Sequence, residues 1–239
     1  MHIKELILQT NSLHRTRLFY HKTLELNVVN ETEESISFKA GNTTLTFKET
    51  HEDKPFYHFA FNIVNNKFSD SFEWLNNKLD ILPAEDGLMI AGYNNWNAQS
   101  FYFHDNNGNI LEFIVRFDLP YYSSENFSSD CITEISEIGI VTNNVDQTAQ
   151  EIQQQYNIPF FKYGPRLADF IAMGDNHGLL LISQAKRGWV PTNRQATFPG
   201  YCCYGRSNNA AITIPDYNAL HACLLQKRKY NKRIAKPAQ

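Results

Sequence analysis

Several features are scarce in this chain of 239 residues. It has no apolar run approaching the roughly 20 residues needed to span a bilayer, which argues against a membrane partner. Its start, Met-His-Ile-Lys-Glu, lacks a basic stretch followed by an apolar one, so no signal peptide and a cytoplasmic protein are expected. Four cysteines are too few for a disulfide framework, and adjacent Cys202 and Cys203 suit neither an ordinary disulfide nor a CxxC pair. Buried thiols are the expected state. A large charge of one sign is missing too, since 22 basic residues face 25 acidic ones. The net charge is −3, and the six Lys and Arg of residues 226–239 leave −9 for the rest. A basic nucleic-acid-binding face is therefore excluded from the fold, and the tail reads as a solvated helix end and terminus. What the chain does have is a globular composition, 42% hydrophobic, with 17 Phe, 12 Tyr and 3 Trp to build a core.

The chain also repeats itself. Residues 3–10 and 56–64 both read as strands, and an offset of 53 sets Glu5 against His58, Leu6 against Phe59, Leu8 against Phe61 and Phe19 against Phe72. A helix follows each strand, over 13–24 with Ser12 or Asn11 as cap, and over about 67–79 with Asn66 or a neighbour as cap. Asp105-Asn106-Asn107-Gly108-Asn109-Ile110 is echoed by Asp175-Asn176-His177-Gly178-Leu179-Leu180, and more weakly by Ala40-Gly41-Asn42-Thr43. Asp, Asn and Gly supply the positive φ angles of tight hairpins, so each echo links two strands. The unit is βαβββ. Copy one covers about 1–54 and copy two about 56–118. A linker spans 119–131, and a degenerate second half spans 132–239. That half holds a third copy with a helix near 145–156, and a fourth begun by 211–214 and a helix near 216–230. Residues 186–209 are the least legible stretch, and Trp189-Val190-Pro191 is a candidate lid.

Tandem βαβββ units, with Phe19-Tyr20 on the first helix and Asp-Asn-Asn-Gly-Asn-Ile-Leu-Glu near the end of copy two, resemble the vicinal oxygen chelate superfamily. This group includes glyoxalase I, extradiol ring-cleaving dioxygenases and bleomycin resistance proteins. The resemblance implies an α+β fold in which copies one and two pack side by side, their curved sheets forming an open barrel around a metal. It places ligands on the first and last strands of each copy. Here those positions are Glu5, His58 and Glu112, with Leu45 at the fourth, so three ligands are implied. In copy three the matching positions are Glu137 and Ile182, and Glu137 and His177 remain possible contributors.

Period-2 alternation puts Glu5 with Ile3 and Ile7, His58 with Phe56, Ala60 and Asn62, and Glu112 with Ile110 and Ile114. A charged group in an apolar row is costly unless paired or metal-bound. The opposite rows are apolar as well, so both faces are covered and the pattern does not say which lines a cavity. Two carboxylates and one imidazole suit one divalent ion: Mn²⁺, Fe²⁺, Ni²⁺ or Zn²⁺. Softer pocket candidates are Trp96 as a stacking surface, Asn97 as a hydrogen-bonding group and Tyr102 as an acid or oxyanion donor, while Arg116 reads as a solvated strand end in preference to an anchor for an anionic group. No catalytic residue is singled out. The expected function is a metal-dependent lyase or isomerase of glyoxalase type, or a ring-cleaving dioxygenase. A small-molecule substrate and a monomer or homodimer are expected. Glu5 standing where a dioxygenase has its first His weakens the dioxygenase branch. The alternative is a metal-free drug-binding protein using the same cavity.

Overall fold

The computed structural model describes residues 1–51, 55–84, 87–197, 203–207 and 210–214, the last two segments by their backbone alone. The chain opens with β1 (Glu5–Thr10), α1 (Leu13–Arg17) and a continuing π-helical turn over Leu18–Thr23. Ser12 caps α1 by accepting the Arg15 N–H at 3.3 Å. Strands β2 (Asn27–Glu31), β3 (Ser35–Ala40) and β4 (Thr43–Glu49) complete copy one. Copy two is β5 (His58–Ile63), α2 (Phe68–Asn76), β6 (Ile81–Leu82), β7 (Ala91–Tyr93), β8 (Ala98–His104) and β9 (Ile110–Arg116). A 3-10 turn over Asn65–Lys67 leads into α2, whose start has no side-chain cap, contrary to the capping expected there. Copy three is β10 (Ile132–Thr142), α3 (Val145–Tyr156), β11 (Phe170–Asp175) and β12 (Gly178–Gln184). A small hairpin, β13 (Gly188–Trp189) and β14 (Arg194–Gln195), precedes β15 (Cys203–Ser207) and β16 (Ala210–Ile214). The helix expected near 216–230, the basic tail and Cys202 lie outside the described residues. Cys131 is a buried free thiol. No helix among the described residues is long and apolar enough to cross a membrane.

The fold is mixed α+β, as the repeat implied, but the copies pair differently. A six-stranded sheet runs β16-β15-β1-β4-β3-β2, so copy one joins β15, from the least legible stretch, and through it the strand that begins the fourth copy. An eight-stranded sheet has the path β11-β12-β10-β5-β9-β8-β6, with β7 beside β8, so copy two joins copy three. The expectation of copies one and two side by side is corrected by the β5–β10 pairing. The physical reason is that every βαβββ copy exposes a similar strand edge. Alternation fixes which face a residue occupies but not which copy docks on that edge.

One continuous apolar cluster contains residues of both sheets together with Leu13 of α1, Phe68 and Leu75 of α2, and Val145, Ala149 and Ile152 of α3. The second face of the eight-stranded sheet is also covered, by a separate cluster that includes Phe56, Ile110, Leu181 and Trp189. All six residues of β5 are accordingly buried.

The repeated Asp-Asn-Gly turn explains itself structurally. Asp105 is buried and accepts the Asn107 and Asn109 N–H groups at 2.8 and 2.9 Å, while Tyr20 Oη donates to it at 2.8 Å. Asn109 in turn accepts the Tyr57 N–H at 2.8 Å. The motif thus bolts the starts of β5 and β9 to the copy-one helix.

Candidate metal centre

The polar residues of the eight-stranded sheet converge on the face turned away from the main core. Three adjacent strands carry them. Glu112 on β9 lies opposite Ala60 on β5, and Ala60 lies opposite Glu137 on β10. The two carboxylates therefore flank one methyl group, with His58 two residues earlier on the same face of β5. A bulge in β10 makes this arrangement possible. Ile135 opposes Phe61 and Glu137 opposes Ala60, two residues against one. Strict alternation would put Ile135 and Glu137 on one face; the extra residue turns Ile135 to the core and Glu137 to the site.

His58 Nδ1 lies 3.1 Å from the Ile110 carbonyl oxygen, which assigns the proton to Nδ1. The Nε2 lone pair remains, 3.8 Å from Glu112 Oε2. One ligand-capable atom from each of His58, Glu112 and Glu137 lies within 4.8 Å of the others, and all three residues are buried. Burial holds His58 down at about 4, so its imidazole is neutral at physiological pH. Burial, reinforced by the nearby Glu137 charge, pushes Glu112 up to about 8. Burial also raises Glu137, against the pull of Arg116, whose guanidinium donates a hydrogen bond to Glu137 Oε1. Arg116 is 1% exposed, not solvated as its strand-end position suggested, because Glu137 faces it from β10.

The donor set fits a divalent ion. Two carboxylates in an apolar site repel each other, one internal cation offsets part of their charge, and the imidazole is already in its ligating form. Glu5, expected as the third ligand, is not part of this group. It lies on β1, which pairs with β4 and β15 in the other sheet. Glu137, the repeat equivalent of Glu5 in copy three, joins His58 and Glu112 instead.

A cavity of about 410 Å³ opens over the three residues. Trp189 covers His58, their ring centroids 5.1 Å apart. Gly139 makes room for it, since a Cβ there would stand 2.6 Å from the indole. Of the expected pocket residues, Trp96 and Tyr102 line the cavity. Asn97 does not line it; with φ at 46° it closes the turn before β8 and donates to Asp118 Oδ1 at 2.7 Å. Tyr102 opposes Glu112 across β8 and β9, and its hydroxyl hydrogen-bonds the Tyr93 hydroxyl. Burial raises both phenols, so each stays protonated at neutral pH. Sequence reasoning missed Tyr93 and Tyr163 as lining residues, because neither a three-residue strand, which carries Tyr93, nor a loop, which carries Tyr163, leaves a periodic signal.

No protein-family model matches this chain, and no curated protein sequence does. Among solved structures, a proposed dioxygenase from Bacillus subtilis superposes with a TM-score of 0.61 at 15% identity, covering 87% of this chain and 70% of that one. A lactoylglutathione lyase from Agrobacterium tumefaciens has a TM-score of 0.37 at 20% identity, over 47% of this chain and 92% of that one. A glyoxalase/bleomycin resistance protein/dioxygenase from Alicyclobacillus acidocaldarius has a TM-score of 0.37 at 16% identity, over 48% and 92%. The first superposes on most of this chain, and at that identity it shows a shared fold alone.

Proposed function

We propose, on the premise of a vicinal oxygen chelate fold, that this protein is a divalent-metal-dependent enzyme acting on a small oxygen-chelating substrate. The observation that carries the reading is the convergence of His58, Glu112 and Glu137 beneath an apolar cavity. A divalent ion held by these three would supply Lewis-acid polarisation of adjacent substrate oxygens. The chain's own groups supply the rest. The Nδ1–H···O bond to Ile110 fixes the His58 ring so that Nε2 stays free to ligate. Trp189, Phe170 and Leu181 offer flat apolar walls that fit a planar substrate and exclude water. Tyr102 and Tyr93, protonated at neutral pH, provide O–H donors for a substrate oxygen that gains negative charge.

The one-His, two-carboxylate set differs from the two-His, one-carboxylate triad of non-haem Fe²⁺ oxygenases. It favours the lyase or isomerase branch over ring cleavage. The test is chelated protein reloaded separately with Mn²⁺, Fe²⁺, Ni²⁺ and Zn²⁺, then assayed with hemithioacetals and, under anaerobic Fe²⁺ loading, with catechols on admission of oxygen. Metal-dependent turnover that Glu137→Gln removes supports the reading. Binding of an aromatic ligand that chelation leaves unchanged, with no turnover under any loading, overturns it in favour of a metal-free binding protein. The Arg116–Glu137 pair is the observation on that side, because it balances one carboxylate without any ion.

A further inference from the structure

A second group of chelating side chains lies where the start of the chain meets the β11–β12 turn. We infer that His2, Glu134 and His177 form a second divalent-metal site. Their candidate ligand atoms all lie within 4.8 Å of one another. His2 Nδ1 is 2.7 Å from Glu134 Oε2, and His177 Nδ1 is 3.0 Å from Glu134 Oε1. Both imidazoles thus address one carboxylate, each at its own oxygen. Their ring centroids are 4.3 Å apart.

The burial of the carboxylate suits a cation. The Glu134 side chain is 1% exposed, and among the described residues its ion pairs are with these two histidines. A buried carboxylate is costly without a compensating positive charge. One protonated imidazole would balance that carboxylate, while a second positive ring this close would be repelled by the first. A divalent ion satisfies all three groups at once. Two imidazole nitrogens and one carboxylate select borderline ions such as Zn²⁺, Co²⁺, Fe²⁺ or Ni²⁺ over Ca²⁺ or Mg²⁺. The two rings are about one-third exposed, at 35% and 33%, so the remaining coordination positions face solvent. Tyr121 Oη, 3.2 Å from Glu134 Oε1, supplies the outer hydrogen bond that orients such a carboxylate.

The three segments are held in place by contacts of their own. His177 occupies the turn position that Asn107 fills in copy two, and its N–H likewise bonds the turn aspartate, Asp175 Oδ1, at 2.9 Å. Asn62 Nδ2 donates to the Asn176 carbonyl at 3.1 Å and fixes the same turn. At Gly178 a Cβ would stand 2.5 Å from the Met1 carbonyl oxygen, so glycine lets the segment carrying His2 lie against the turn. Glu134 is pinned next to Thr133, whose carbonyl accepts the Asn42 N–H at 2.7 Å. Bound there, the ion would staple the entry to the six-stranded sheet onto the eight-stranded one.

The test uses protein made without a histidine tag, stripped with chelator and titrated with Co²⁺, in four forms: wild type, His58→Ala, His2→Ala and His177→Ala. Bound cobalt and its visible absorption are the readouts, with circular dichroism confirming the fold of each variant. We expect His2→Ala and His177→Ala each to lose one equivalent of tight cobalt, with affinity at that site falling at least about 100-fold. His58→Ala should keep that equivalent and its spectrum, and cobalt should raise its melting temperature. Wild-type stoichiometry and affinity retained in both His2→Ala and His177→Ala would overturn the inference. Loss confined to His58→Ala would do the same while leaving the first centre standing.

Discussion

The replacement of Glu5 by Glu137 in the candidate metal centre gives a prediction whose size follows from the structure. In a His177→Ala background, which removes the second group from the readout, a divalent ion at 100 times its dissociation constant stabilises the folded state by about 2.7 kcal/mol. For a chain of this length that corresponds to a melting shift of roughly 5–10 °C. Glu137→Gln removes one of three ligand atoms, and a 100-fold weaker site at the same metal concentration retains only about 0.4 kcal/mol, or roughly 1 °C. The same change strands the buried Arg116 guanidinium opposite a neutral amide. Breaking a buried pair from one side costs about 3–5 kcal/mol, so the chelated variant should also melt well below its parent. Glu5→Gln lies in the other sheet and should keep the full metal-dependent shift. Scanning fluorimetry with and without metal, paired with equilibrium dialysis, measures both effects. A shift that survives Glu137→Gln or disappears in Glu5→Gln would refute the assignment of ligands.

Two further outcomes follow from neighbouring observations. Folded His58 titrates near 4 against 6.5 for a free histidine, so the unfolded chain takes up its proton first as pH falls. That stability is present above pH 6.5 and lost as pH drops through 4, about 3 kcal/mol in all; urea unfolding of chelated protein across this range should show it, and His58→Gln should remove it. Gly41 has φ at +56°, and a Cβ there would stand 2.1 Å from the Thr133 carbonyl oxygen. Gly41→Ala should therefore cost more than about 2 kcal/mol in urea unfolding, whereas Gly92→Ala, with open space around it, should stay within about 0.5 kcal/mol.

Much of the fold was legible in the sequence because the helices and hairpins carry local signals. Strand β9 falls on the residues that alternation and the Asp-Asn-Gly turn indicated, and α3 on those expected for the third helix. His58, Glu112 and Glu137 could all be picked out as repeat-equivalent positions. What the sequence could not reveal is which copies share a sheet. That choice rests on edge-to-edge pairing and on the packing of aromatic layers, and neither leaves a periodic trace. The β10 bulge was equally hidden: nothing in Ile135-Ser136-Glu137 announces the extra residue, yet it decides where the Glu137 side chain goes. Arg116 was misjudged for the same reason, since its partner comes from a strand of another copy.

The pairing has a consequence for how the site depends on the whole chain. Residues 1–118 hold His58 and Glu112 but not Glu137, and they leave the β5 edge without β10. That strand is buried along its full length here, with Phe59, Phe61 and Ile63 on its core face. Such an edge, left open, invites pairing with another chain rather than holding a metal. The third copy therefore does more than cover a finished half. It covers the β5 edge, carries the third carboxyl or imidazole group of the candidate centre, supplies Gly139 as the gap for Trp189, and brings Arg116 the partner that lets a guanidinium be buried. Copy one contributes differently: its Tyr20 hydroxyl, bonded to Asp105, fixes the start of the strand on which Glu112 stands. A site assembled this way draws its candidate ligands from copies two and three and its rigidity from copy one. For that reason a recognisable motif in one copy marks the scaffold, while the candidate ligands lie where two other copies meet.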